Sequence, residues 1–118
     1  MNRSFPDDAD GIALNYVEQD GSDLSRPMFI NFQVAVPTEQ SAHDLARVAG
    51  GLGYLVKVYD SSECRLPWTC ECSTRMLATY EAVIAIQSEL AEIANPFGGI
   101  PDGWGTFGNG RKGQPRVD

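Results

Sequence analysis

Met28-Phe29-Ile30-Asn31-Phe32-Gln33-Val34-Ala35-Val36 is the stretch that decides the fold of this chain. Apolar side chains occupy every second position of it, and two polar residues fall between them: Met28, Ile30, Phe32, Val34 and Val36 on one side, Asn31 and Gln33 on the other. A two-residue period is that of a β-strand with one buried face. We therefore predict a strand over Met28–Val36 that covers a core.

The segments around this strand alternate between helical and extended patterns. Thr38 predicts the N-cap of a following helix, and the glycines at 50, 51 and 53 predict its end. The later periodic segments predict a strand over Tyr54–Tyr59, a strand over about Leu66–Ser73, a helix over about Arg75–Ala94 and a short strand around Trp104–Phe107. Before the first strand, a short helix is predicted from about Asp8 to Asp20, with Ile12, Tyr16 and Val17 on its apolar side.

A helix followed by the order β-α-β-β-α-β is a split β-α-β arrangement with one addition. We predict an α+β fold: a ferredoxin-like α/β sandwich with a four-stranded antiparallel sheet, two helices on one face and an extra N-terminal helix. The other face of the sheet would display Asn31, Gln33, Lys57, Tyr59, Thr69, Glu71 and Ser73. We expect residues 1–108 to form a single domain and residues 109–118 a disordered basic tail.

Two Asp-Gly pairs bracket this pattern, Asp10-Gly11 near one end and Asp102-Gly103 near the other. Aspartate can bond to its own backbone, and glycine reaches positive φ without a steric cost. Both pairs are therefore predicted to be turns beside a large apolar residue.

The charge of the chain disfavours several classes of partner. Its formal net charge is −7, which repels phosphate backbones, so direct binding of nucleic acid is not expected. No apolar run is long enough to cross a membrane, and the N-terminus lacks the apolar core of a secretion signal, so we expect a cytoplasmic location. An acidic protein of this kind would attract a basic protein partner.

The three cysteines and the only histidine offer little for a metal or for catalysis. Cys70-Glu71-Cys72 has the spacing of half a zinc site, but the remaining candidate ligands are Cys64, in a loop, and His43, on a predicted helix. Trp68, Cys70 and Cys72 share one face of the predicted strand, so we interpret the two thiols as core residues. No pairing of a nucleophile with a base is recognisable. We predict no metal, no cofactor and no enzyme.

Six residues are candidates for binding a partner: Asp7, Asp8, Asp10, Asp20, Asp23 and Trp104. The first three aspartates lie where they would also stabilise the helix dipole, so both interpretations stay open for them. Asp20 and Asp23 lie near the helix end, where negative charge is unfavourable, which favours another role. Trp104, between two glycines, is either a core anchor or an exposed binding aromatic.

Four segments together resemble one bacterial family, the ribonuclease E inhibitors known as regulator of ribonuclease activity B. They are Phe5-Pro6-Asp7-Asp8-Ala9-Asp10-Gly11, the stretch Asp20–Pro27, the stretch Arg75–Val83 and Asp102-Gly103-Trp104-Gly105. The resemblance covers roughly residues 5–108. It implies a ferredoxin-like fold and a non-enzymatic protein that binds ribonuclease E and restrains its cutting of RNA. It also implies contact with the arginine-rich C-terminal scaffold of that enzyme, which an acidic surface would suit.

Two other functions are compatible with the same residues. One is a protein-interaction module with another partner, or a homodimer formed through the open sheet face, unrelated to RNA decay. The other is a small-ligand-binding protein, or an enzyme, whose binding site is formed on the surface of the sheet.

Overall fold

The computed structural model describes residues 5–61 and 66–109, and its elements follow the predicted order. They are α1 (Ala9–Gln19), β1 (Met28–Val36), α2 (Glu39–Gly51), β2 (Leu55–Asp60), β3 (Trp68–Met76), α3 (Tyr80–Ala94), a 3₁₀ turn (Asn95–Phe97) and β4 (Ile100–Gly105). The strands form one four-stranded sheet in the order β2-β3-β1-β4. This order confirms the predicted α+β fold, a ferredoxin-like sandwich with an additional N-terminal helix.

The described residues divide into two compact units by their contacts. One unit contains residues 31–61, 66–74 and 86–105, with most of the sheet, α2 and the second half of α3. The other contains residues 5–30, 75–85 and 106–109, with α1, the loop that follows it and the segment after β4. None of the helices in the described ranges has the length and apolar character needed to cross a membrane.

The predictions for β1 and α2 are confirmed. Ile30, Phe32 and Val34 are at most 1% exposed, as the two-residue period requires. Thr38 caps α2, since its Oγ1 accepts a hydrogen bond from the Ser41 amide at 3.0 Å. α2 packs against β2, and the helix ends among the predicted glycines.

The buried side of α1 is not the predicted one. Leu14 is fully buried, whereas Ile12 is 47% and Tyr16 68% exposed. Of the three residues assigned to the apolar side, only Val17 is even half-buried. The helix therefore anchors itself through Leu14 and Gly11 and leaves a partly apolar face exposed.

Asp10-Gly11 is not a turn, because both residues lie inside the first turns of α1. The helix begins after Asp8, and the chain before it passes so close to Gly11 that an added Cβ would clash with the carbonyl oxygen of Pro6. Glycine is needed here for a close approach of two backbone segments.

Asp102-Gly103 is not a turn either; it lies within β4, which begins at Ile100. The register shifts there by one residue, since Phe32 pairs with Trp104 but Val34 with Pro101. This extra residue is a β-bulge, and the φ of +112° at Gly103 fits it. β4 is an edge strand, which tolerates Pro101. The strand predicted around Trp104–Phe107 therefore starts and ends earlier.

Two further boundaries differ. The helix predicted from about Arg75 begins only at Tyr80, because β3 continues to Met76 and Thr79 caps the helix through a hydrogen bond from the Ala82 amide at 3.1 Å.

The prediction for Thr69 is wrong. Thr69, expected on the displayed sheet face, is 5% exposed and donates a hydrogen bond to the Ser61 hydroxyl at 2.8 Å. Trp68 is half-buried.

Candidate protein-binding surface

The Asp8 carboxylate accepts two hydrogen bonds at the start of α1. Its Oδ1 accepts a hydrogen bond from the Gly11 amide at 2.9 Å, so it is the N-cap of the helix. Its Oδ2 accepts a second hydrogen bond from the Tyr80 hydroxyl at 2.6 Å. The bond from Tyr80 and then the bond from Gly11 lower the pKa of the Asp8 carboxyl below its ordinary value, because both stabilise the charged form. Asp8 therefore has a structural role on an exposed surface.

Asp23 also has structural partners. Its Oδ1 accepts hydrogen bonds from the amide and the hydroxyl of Ser25, at 2.9 and 2.6 Å, which closes a short turn. Its own amide donates to Asn109 Oδ1 at 2.8 Å, and its carbonyl accepts from Asn109 Nδ2 at 3.0 Å. These bonds account for a negative charge just after the helix end without a partner protein.

Asp7, Asp10 and Asp20 complete the acidic set around α1. Asp7 precedes the helix, Asp10 lies in its first turn, and Asp20 is its C-cap. Asp7 and Asp20 are exposed, and Asp10 is half-buried. Together with Asp8, Glu18 and Asp23, they make the segment of residues 5–24 carry six acidic side chains and no basic one. We call these six residues the acidic segment side chains.

Trp104 belongs to the other compact unit, so the six predicted contact residues do not all lie in one unit. It lies on β4 opposite Phe32 and is half-buried. The bulge at Gly103 shifts the register of β4 by one residue, and this shift places Trp104 opposite Phe32.

A groove beside α1 was missed by reasoning from the sequence. It has a volume of about 380 Å³ and lies between the C-terminal half of the helix and the segment after β4; its lining includes Tyr16, Val17, Asp20, Ser22 and Phe107. Tyr16 and Phe107 are 68% and 78% exposed. A smaller hollow of about 180 Å³ continues along the helix at Ile12, Asn15, Tyr16 and Gln19. We call both hollows together the α1 groove.

A sequence signal for this groove did exist. Ile12, Asn15, Tyr16 and Gln19 recur at helical spacing, and half of them are polar, which is unusual for a core-facing row. The predicted strand around Trp104–Phe107 hides this signal at Phe107, because an aromatic residue on a strand is expected to face the core.

The open sheet face is a network of polar side chains that bind one another. Gln33 donates to Glu71 at 3.0 Å, and Ser73 donates to Asn31 at 2.6 Å. Lys57 Nζ lies 6.0 Å from the centre of the Tyr59 ring. Glu71 places an acidic side chain on this face, which disfavours the binding of phosphates there.

The two strand cysteines are core residues, as expected. Cys70 and Cys72 are fully buried, with their Sγ atoms 3.9 Å apart. The contact with Cys70, with burial, raises the pKa of the Cys72 thiol far above its ordinary range. His43 is exposed on α2, 3.6 Å from Glu39. Cys64 lies outside the described residues; within them, no three His, Cys, Asp or Glu side chains are grouped to hold a metal ion.

Comparison with known protein families identifies a match over most of the chain. The family model described as regulator of ribonuclease activity B matches residues 7–106. These residues contain α1, every strand of the sheet and most of the α1 groove. No curated protein matches the chain.

Proposed function

The chain belongs to the regulator of ribonuclease activity B family, and we propose that it acts by binding ribonuclease E and restraining its cutting of RNA, without an enzymatic activity of its own. Regulators of this family act on a ribonuclease, so the partner is a protein.

The observation that carries the proposal is the uniform charge around α1. Residues 5–24 hold six acidic side chains without a single basic one, and Asp7, Asp8, Asp20 and Asp23 are exposed. Such a surface attracts basic protein segments and repels RNA directly. An arginine-rich segment of the enzyme's C-terminal scaffold is the partner that fits this charge.

Two of the predicted contact aspartates also have roles in the fold. Asp8 and Asp23 already hold the helix start and the turn at Ser25. Asp7 precedes the same helix, Asp10 lies in its first turn and Asp20 is its C-cap. We propose that these three, which can be neutralised without removing the Asp8 cap or the turn at Ser25, contribute to the charge-dependent binding, with Trp104 as a separate candidate contact.

This surface would regulate the enzyme by occupying a basic segment of its scaffold. A basic scaffold segment that is held by the acidic segment side chains is not free to hold RNA or other proteins. Because exposed charge pairs are screened over about 8–10 Å at physiological ionic strength, binding of this kind weakens as salt is raised.

The test is calorimetric binding to ribonuclease E, full length and without the C-terminal scaffold, at two salt concentrations. We expect binding to the full-length enzyme only, weaker at high salt. A variant with Asp7→Asn, Asp10→Asn and Asp20→Asn should bind more weakly. A control with the same charge change, Glu39→Gln, Asp60→Asn and Glu92→Gln, should bind like the parent. If the affinity is the same at both salt concentrations, or if both variants lose the same affinity, the acidic-surface mechanism is refuted.

Self-association is a second candidate function, favoured by one observation. β2 is an edge strand, and its apolar Leu55 is 63% exposed. Edge strands with exposed apolar side chains can pair with a second copy. Light scattering of the purified protein, with Leu55→Lys as the variant, distinguishes a dimer built on this edge from a monomer.

A further inference from the structure

The α1 groove lies next to the last described residue of the chain. Phe107 and Gly108 line the groove, and Asn109 follows them. Asn109 is fixed in place, because its side-chain amide donates to the carbonyls of Asp23, Arg26 and Pro27 at 3.0–3.2 Å. The residues that follow Asn109 in the sequence therefore start at the edge of the groove.

These next residues carry the opposite charge to the groove. Gly110-Arg111-Lys112-Gly113-Gln114-Pro115-Arg116 has three basic side chains and no acidic one. The acidic segment side chains number six, and Asp20 lines the groove itself. The basic segment thus begins two residues after Gly108, which lines the same groove as Asp20.

The spacing of the charges also agrees. α1 has 11 residues, so its ends are about 16 Å apart, with acidic side chains at both ends. Arg111 and Lys112 precede Arg116 by five and four residues in the sequence. In an extended chain this separation is about 13–18 Å. One basic group can therefore lie at each end of the helix.

The exposed side chains between the two ends suit the same occupant. Tyr16 and Phe107 offer aromatic rings, on which a guanidinium group can stack. Ile12 offers an apolar surface to the aliphatic stems of lysine and arginine. A basic, extended peptide therefore matches the groove in charge, length and surface.

We propose that residues 110–116 of this chain dock in the α1 groove, antiparallel to α1. Arg111 and Lys112 lie at the Asp20 end and Arg116 at the end formed by Asp7 and Asp10. The tether at Asn109 gives the segment an effective concentration on the order of a millimolar, so weak contacts suffice for docking. The consequence for regulation rests on the proposed function: a basic partner of the acidic surface must first displace this segment.

The first test compares backbone amide NMR shifts of the full chain with those of a variant carrying Arg111→Gln, Lys112→Gln and Arg116→Gln. We expect changes at Ile12, Tyr16, Gln19 and Phe107. A control variant removes three exposed basic residues elsewhere, through Arg47→Gln, Lys57→Gln and Arg75→Gln, and should leave those four amides unchanged. Equal shifts in the two variants, or none in either, would overturn the proposal.

The direction of docking is tested by splitting the neutralised residues. Arg111→Gln with Lys112→Gln should move amides around Gln19 and Asp20, and Arg116→Gln should move amides around Asp10 and Ile12. The reverse pattern would contradict the antiparallel arrangement.

The competition is tested with the synthetic peptide Arg-Lys-Gly-Gln-Pro-Arg as the probe. If the docked segment occupies the groove about half of the time, the triple variant binds the peptide about twofold more tightly than the parent. Equal affinities would contradict docking. Binding of ribonuclease E is measured separately: NMR shifts without enzyme binding refute only the proposed function, and enzyme binding without the shifts refutes only the docking.

Discussion

The hydroxyl of Tyr80 donates a hydrogen bond to Asp8 Oδ2 at 2.6 Å, across 72 positions of sequence. This bond connects the start of α3 to the N-cap of α1, since the other oxygen of Asp8 accepts from the Gly11 amide. One carboxylate thus fixes both the beginning of a helix and the helix against another element. α1 and the first part of α3, which includes Tyr80, belong to the same compact unit.

Acid should weaken this connection in a predictable way. The pKa of Asp8 is lower in the folded state than in the unfolded chain, so its stabilising effect is present above the unfolded value of about 3.9 and is lost as pH falls through the lower folded value. Tyr80→Phe should raise the pKa of Asp8, measured by NMR titration of its carboxyl carbon. Tyr16→Phe, which removes another exposed tyrosine hydroxyl from this unit, should leave it unchanged; equal effects would contradict the assignment.

Tyr54 should make the stability of the protein sensitive to alkaline pH. Its hydroxyl donates a hydrogen bond to Glu89 at 2.5 Å. Burial is the larger cause and the Glu89 carboxylate the second, and both raise the pKa of Tyr54 well above its ordinary value. Because the unfolded tyrosine ionises near pH 10, stability is retained below about pH 10 and lost above it. Tyr54→Phe should cost about 0.5–1.5 kcal/mol at neutral pH and reduce the loss above pH 10. Denaturant unfolding on both sides of pH 10 measures this, and an unchanged alkaline loss would refute it.

The buried side of α1 can be tested with two substitutions. Leu14 is fully buried, so Leu14→Ala should lower the free energy of unfolding by about 2–5 kcal/mol. Ile12 is 47% exposed, and Ile12→Ala should change it by less than about 0.5 kcal/mol. Urea unfolding distinguishes the two. A larger cost at Ile12 than at Leu14 would restore the side predicted from the sequence.

Two helical glycines should respond to alanine in opposite directions. At Gly11 an added Cβ meets the Pro6 carbonyl, so Gly11→Ala should destabilise the protein by about 1–3 kcal/mol. At Gly51 an added Cβ meets nothing within 4 Å, so Gly51→Ala should stabilise it by about 0.4–1 kcal/mol. Thermal melting of both variants checks this, and a tolerated Gly11→Ala would contradict the close approach.

The elements that could be predicted are those in which several residues carry the same period. β1 repeats its apolar residues over nine positions, and α2 adds a cap at Thr38, so both were identified with their bounds. α1 has one fully buried large side chain, Leu14, and its exposed apolar residues dominate the pattern. A period shows that a face is apolar; it does not show whether that face meets a core or lines a groove.

The two Asp-Gly pairs show the same limit for local signals. Glycine at 11 is required by the path of Pro6, and glycine at 103 by the register of β4 against β1. Both requirements come from a neighbouring segment of backbone, which a dipeptide does not reveal. Likewise, the role of Asp23 depends on Asn109, which lies 86 residues further along the chain.

That separation has a consequence for how the protein is made. Synthesis proceeds at about 5–20 residues per second, so Asn109 is added roughly 4–17 s after Asp23, the residue it holds. All four strands precede Asn109 in the chain and leave the ribosome before it. The loop at residues 22–27 is synthesised before the sheet but gains its hydrogen bonds from Asn109 only after all four strands have been synthesised.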